Sequence, residues 1–103
     1  MLFEKKAKPP LVRTTLEKCF WAHDGQIFCD LAGLREALEK MSEEVFVYHV
    51  NGQKNDFSQW VGDALGDKTL VKQLGSLKKR QAFLKKVDAR IRNFYAQEPT
   101  RDI

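Results

Sequence analysis

The sequence predicts an α+β fold, a single mostly helical domain in which an N-terminal β-hairpin packs on four to five short helices. Three observations carry this reading. Asp24-Gly25 stands between runs of aromatic and β-branched residues, the strongest short-range hairpin signal a sequence offers. Asp30, Ser42, Asn55 and Asp67 each precede an apolar stretch, where a side-chain oxygen can cap the free N–H groups of a first helical turn. Leu31, Leu34, Leu38 and Met41 recur at the spacing of one buried helical stripe.

Residues 1–13 read as an arm, since Pro9-Pro10 opposes both helix and sheet and only Leu2, Phe3, Leu11 and Val12 could pin it down. Two hairpin registers compete after it. A two-residue turn at Asp24-Gly25 pairs Phe20 with Cys29, whereas a three-residue loop, His23-Asp24-Gly25 with Gly25 left-handed, pairs Cys19 with Cys29. Asp30 then caps a helix from Leu31 to about Met41. Ser42 caps a further helix over residues 43–50, although Val45-Phe46-Val47-Tyr48-His49-Val50 is rich in strand formers. Asn51-Gly52 ends that segment through the left-handed region. Asn55 and Asp56 start a helix through Phe57, Trp60, Val61 and Leu65 that closes at Gly66. Asp67 starts another, carrying Leu70, Val71 and Leu74 and closing at Gly75. Ser76 begins the last helix, with Leu77, Leu84, Val87, Ile91 and Phe94 or Tyr95 inward. The globular domain is thus expected over 14–97, followed by a fraying tail at 98–103.

With 103 residues, 43% hydrophobic and 31% charged, the composition excludes wholesale disorder and a disulfide-framework toxin. No apolar run approaches the roughly 18 residues that cross a bilayer, and the opening residues lack the apolar core of a secretory signal. A small cytoplasmic domain without membrane contact is expected. The net charge of +4 hides two opposed halves: residues 1–67 carry 8 Lys/Arg against 11 Asp/Glu, and residues 68–103 carry 10 against 3. Most of the excess falls on the last helix, at Lys78, Lys79, Arg80, Lys85, Lys86, Arg90 and Arg92, with Lys72 just ahead of it. Such a row can attract a polyanion, or it can be an ordinary solvated helix face.

Catalytic chemistry finds little support. Cys19, His23, Cys29 and His49 lack the paired spacing of a zinc site. Two reduced, packed cysteines are therefore expected, with neither metal nor disulfide. Cys with His could form a nucleophile and base, but nothing marks a thiolate-stabilising environment or an oxyanion hole. Gly62, Gly66 and Gly75 do not have phosphate-loop spacing, and Glu43-Glu44 falls at a helix start where the dipole accounts for it. No enzyme and no cofactor are expected.

The segment Tyr48-His49-Val50-Asn51, Lys54-Asn55-Asp56-Phe57 and Trp60 is unusual in gathering aromatics, a His, two Asn and an Asp around one turn. Its plainer reading is structural: Asn55 and Asp56 cap, His49 bonds the loop, and Phe57 with Trp60 fill the core. Its functional reading is a recognition surface using Tyr48, His49, Asn51, Lys54, Asn55, Asp56 and Trp60, with Tyr48 and Trp60 as amphipathic anchors.

Between Phe20 and about Leu74, the pattern Phe20-Trp21-x-x-Asp24-Gly25, Leu31-x-x-Leu34-x-x-Ala37-Leu38, Met41-Ser42-x-Glu44-x-Phe46-x-Tyr48-His49-Val50-Asn51, Lys54-Asn55-Asp56-Phe57-x-x-Trp60 and Asp67-x-x-Leu70 resembles a small archaeal and bacterial family catalogued only as a domain of unknown function. The resemblance spans about half the chain and implies a mostly helical little domain that occurs alone or attached to other proteins. It implies no catalytic role and does not reach the basic last helix. The resulting expectation is a non-catalytic binding or adaptor domain that engages a protein partner through the Tyr48–Trp60 region. The alternative is a nucleic-acid-associated protein that binds weakly through Lys72, Lys78, Lys79, Arg80, Lys85, Lys86, Arg90 and Arg92.

Overall fold

The computed structural model of the chain describes residues 8–96. The expected arm lies outside them as far as residue 7, with Leu2 and Phe3, and the expected tail at 98–103 lies outside them altogether. The rest of the arm is tied down by backbone bonds: Ala96 N–H donates to Pro9 O at 2.8 Å and Thr14 N–H to Cys29 O at 2.9 Å, while Leu11 packs against the core.

After a 3-10 turn at Leu16–Lys18, strands β1 (Phe20–Trp21) and β2 (Ile27–Phe28) pair antiparallel, Phe20 opposite Phe28 and Trp21 opposite Ile27. Ala22 N–H donates to Gln26 O, Gly25 N–H donates to Ala22 O, and Gly25 takes φ 92°. This is the three-residue register, with glycine where a side chain would be strained. It sets Cys19 opposite Cys29 with Cα atoms 4.4 Å apart, and the two are joined in a disulfide. The expectation of two free thiols is corrected here. Irregular Cys spacing says nothing about a cross-strand pair, which depends only on register. Such a bridge needs an oxidant that a reducing cytoplasm does not ordinarily supply. Pleating turns Phe20 and Phe28 inward, their rings stacked at 5.0 Å, and sends Trp21 and Ile27 outward.

Five α-helices follow among the described residues: α1 (Leu31–Lys40), α2 (Glu43–His49), α3 (Asp56–Trp60), α4 (Lys68–Leu74) and α5 (Arg80–Phe94), with α3 continuing as a π-helical turn over Val61–Leu65. The caps act as the sequence predicts. Asp30, Ser42, Asn55 and Asp67 accept from the backbone N–H of Gly33, Val45, Ser58 and Leu70 respectively, and Gly66 ends the π turn with φ 71°. Residues 43–49 are helical despite their strand formers, because Ser42 caps the start and the helical turn buries Phe46 and His49 together.

Three local expectations are corrected. Asn51-Gly52 does not use the left-handed region. Val50 is extended and bridges to Asn55, while Asn51 Nδ2 donates back to the carbonyls of Val47 and Tyr48 and Oδ1 accepts from Gln53 N–H. An Asx turn therefore does the work assigned to glycine. Ser76 does not start the last helix, which begins at Arg80 without a side-chain cap. Its inward stripe also includes Phe83, with no exposed surface, beside Val87, Ile91 and Tyr95; Phe94 faces out and Leu84 is only partly buried.

Helix α1 packs on α5 and on β2, and α4 packs on α3 and α5. One core runs through Phe28, Leu34, Leu38, Phe46, Phe57, Leu70 and Phe83. The hairpin loop is thereby held against the end of α2 and the start of α3.

Candidate functional site

The Tyr48–Trp60 segment divides into an inner half and an outer half. His49 is the inner hub, 4% exposed. Its Nδ1 lies 2.9 Å from Asp56 Oδ2, and its Nε2 accepts from His23 N–H at 3.0 Å. A ring nitrogen that accepts from a backbone N–H carries no proton, so the proton sits on Nδ1 and is donated to Asp56. This clip joins the hairpin loop to α2 and α3. It also decides against one chemistry: an Asp–His pair can act as a general base only if the distal nitrogen is open to substrate, and here it is used and buried. Asp56 also meets Lys54 Nζ at 3.0 Å. Burial would raise the Asp56 pKa, but hydrogen bonds from His49 and Lys54 outweigh that and hold it below the ordinary carboxylate value.

Other polar groups of the segment are equally occupied within the fold. Asn55 caps α3 through Oδ1 and donates from Nδ2 to Leu74 O at 3.2 Å. Trp60, only 9% exposed, donates from Nε1 to Lys18 O at 2.7 Å and meets Phe20 and Phe28 edge-on. Trp60 is thus core, and its polar handle closes the base of the hairpin.

The outer half is different. Tyr48 is half-exposed, with the His23 ring stacked on it at 4.0 Å and Lys54 Nζ 4.4 Å from its centroid. Tyr48 is thus held by both His23 and Lys54 while remaining half-exposed. Beside it, His23, Glu43, Glu44, Val45, Val47 and Tyr48 line an open groove of about 570 Å³. Trp21, 72% exposed, and Ile27 emerge from the outward side of the hairpin that also carries His23. These two were missed as site candidates. The signal was strand alternation, since an inward Phe20 and Phe28 require an outward Trp21 and Ile27.

The basic residues separate in the same way. The sequence predicts Arg80 and Arg90 in water, and the structure corrects both. Arg80 bonds Glu43 at 2.8 Å and Leu38 O at 2.8 Å. Arg90 makes a two-pronged contact to Asp67 at 2.9 and 3.0 Å, and Tyr95 OH donates to the same carboxylate at 2.6 Å. Burial opposes the charge on Asp67, but Arg90, Tyr95 and the Leu70 N–H together lower its pKa; in return, burial and Asp67 raise that of Tyr95. Arg92 pairs with Asp88 and Lys78 reaches Asn51 O, whereas Lys72, Lys79, Lys85 and Lys86 are exposed.

Among the described residues, no three of His, Cys, Asp and Glu converge on a position that could hold a metal ion, and no helix is long and apolar enough to cross a membrane. Comparison with protein-family models, with curated proteins and with solved structures found no match to this chain.

Proposed function

We propose that this domain is a non-catalytic protein-binding module whose contact surface is the outward side of the hairpin together with the exposed face of α2. The observation that supports it is the grouping of large apolar side chains in water, Trp21 and Ile27 on the hairpin and Val47 and Tyr48 on α2, above a polar cluster occupied within the fold. Trp and Tyr are among the residue types that dominate binding energy, and the His23 ring, two residues from Trp21, stacks on Tyr48. Tyr48 is already immobilised by His23 and Lys54, so little side-chain entropy is left to lose on association. The His49 clip serves this surface indirectly by fixing the hairpin loop to α2. Trp60, buried beneath, supports the platform, and Trp21 takes its place as anchor.

Affinity capture from a lysate, with and without nuclease, tests this, using the parent and the double variant Trp21→Ser, Tyr48→Ser at low and high salt. The reading expects a protein held by the parent at both salt concentrations and lost by the variant. Equal capture by both proteins would overturn it, as would a partner released by nuclease.

A further inference from the structure

Helices α4 and α5 lie side by side and leave a groove of about 280 Å³ lined by Gln73, Lys86, Ala89, Arg90, Asn93 and Phe94. No carboxylate is among these residues. Its polar lining consists of one ammonium, one guanidinium and two amides, a set rich in donors and matched to an anion. Phe94 is 40% exposed. One side of its ring carries the Arg90 guanidinium, 3.7 Å from the centroid, and the Tyr95 ring meets it edge-on at 4.8 Å. Arg90 is itself held by Asp67, which engages Nε and Nη2, and its side chain is only 15% exposed. Arg90 and Phe94 also border a second hollow of about 410 Å³ with Lys68, Thr69 and the Arg90-paired Asp67, so they form a ridge between the two. Lys72 and Lys85 are exposed on the same two helices.

We propose that this ridge and groove bind single-stranded nucleic acid, with Lys86 on a phosphate and the exposed part of the Phe94 ring as a platform for one base. A basic row alone attracts any polyanion. The aromatic narrows the choice, because only an unpaired base offers a free face to stack, and bases in a duplex are already stacked on their neighbours. The guanidinium behind Phe94 holds the ring in place and extends the planar surface. This site shares no residue with the hairpin–α2 surface, so it stands or falls independently of the protein-binding reading.

The test is fluorescence anisotropy with a labelled twelve-nucleotide oligothymidylate and a twelve-base-pair duplex, titrated with the full chain at several salt concentrations. The parent is expected to prefer the single strand. Phe94→Leu, which keeps an apolar side chain at an exposed position, should weaken single-strand binding by about tenfold, the scale of one base–aromatic stack, and leave duplex binding unchanged. Lys86→Gln should reduce the single-strand salt slope by about 0.7, one phosphate contact, while Lys40→Gln on α1 should change nothing. Thermal melts of each variant show whether the fold is retained. A parent that prefers the duplex or heparin, or that fails to bind the single strand at 50 mM salt, would overturn the proposal. So would a folded Phe94→Leu that binds as tightly as the parent, or a Lys86→Gln with an unchanged slope.

Discussion

Replacing Asp67 tests how strongly the fold depends on a charge that the sequence marks only as a helix cap. The carboxylate is 1% exposed and accepts four hydrogen bonds: Leu70 N–H and Arg90 Nη2 on Oδ1, Arg90 Nε and Tyr95 OH on Oδ2. That fills its accepting capacity. Asp67→Ala removes the cap of α4, which alone costs about 1 kcal/mol. It also strands a mostly buried guanidinium and the Tyr95 hydroxyl, and breaking a buried ion pair by deleting one partner costs about 3–5 kcal/mol. The whole change should therefore cost about 4–6 kcal/mol, a large share of the roughly 5–15 kcal/mol that stabilises a domain of this size. Asp67→Asn keeps an oxygen for Leu70 and loses only the charge-assisted bonds, so about 1.5–3 kcal/mol is expected. Urea unfolding at pH 7, with a common slope for all three proteins, measures both. The pH dependence has a definite sign. The folded-state pKa of Asp67 is lowered, so its contribution is present above the ordinary carboxylate value near 4 and is lost as pH falls through the folded value. The gap between the parent and Asp67→Asn should then narrow below about pH 4. An Asp67→Ala that costs no more than a cap, or a gap constant from pH 7 to pH 3, would refute the buried-network account.

Gly33→Ala would ordinarily favour a helix by about 0.5–1 kcal/mol, yet here the new Cβ would lie 2.6 Å from Phe28 Cβ. A loss of about 1–3 kcal/mol is expected instead, from overpacking where α1 crosses β2, and a raised melting temperature would contradict that. The Cys19–Cys29 bridge closes a short loop of sequence separation 10, so its reduction should cost about 2–3 kcal/mol. Thiol titration of the denatured, unreduced protein should find no reactive thiol, and two would refute the bridge.

Features governed by local chemistry were legible in the sequence. Asp30, Ser42, Asn55 and Asp67 cap because a short polar side chain ahead of an apolar run has few better uses, and Gly25 and Gly66 turn where only glycine is unstrained. Features that depend on distant partners were not. Arg80 and Arg90 read as surface charge until the fold brings them to Glu43 and Asp67, 37 and 23 residues away. The disulfide turned on a register that the sequence leaves open between two values. Phe83 and Leu84 are adjacent on a helix, and periodicity alone does not choose which points at Phe46 and Phe57. Of the candidate site, Tyr48 was singled out from the sequence, and the structure leaves it half-exposed. The division between His49, Asn55 and Trp60 inside and Tyr48 outside required the His23 contacts, which come from a loop 25 residues earlier.

The central claim, that the hairpin–α2 surface meets a protein partner, is tested most directly by site-specific photo-crosslinking. A benzophenone side chain placed at position 21, 48 or 85 in separate proteins would be activated in cells after nuclease-sensitive contacts are accounted for. The account predicts one discrete cross-linked protein from positions 21 and 48 and none from Lys85 on α5. Cross-links to protein from position 85 with none from 21 and 48 would contradict it.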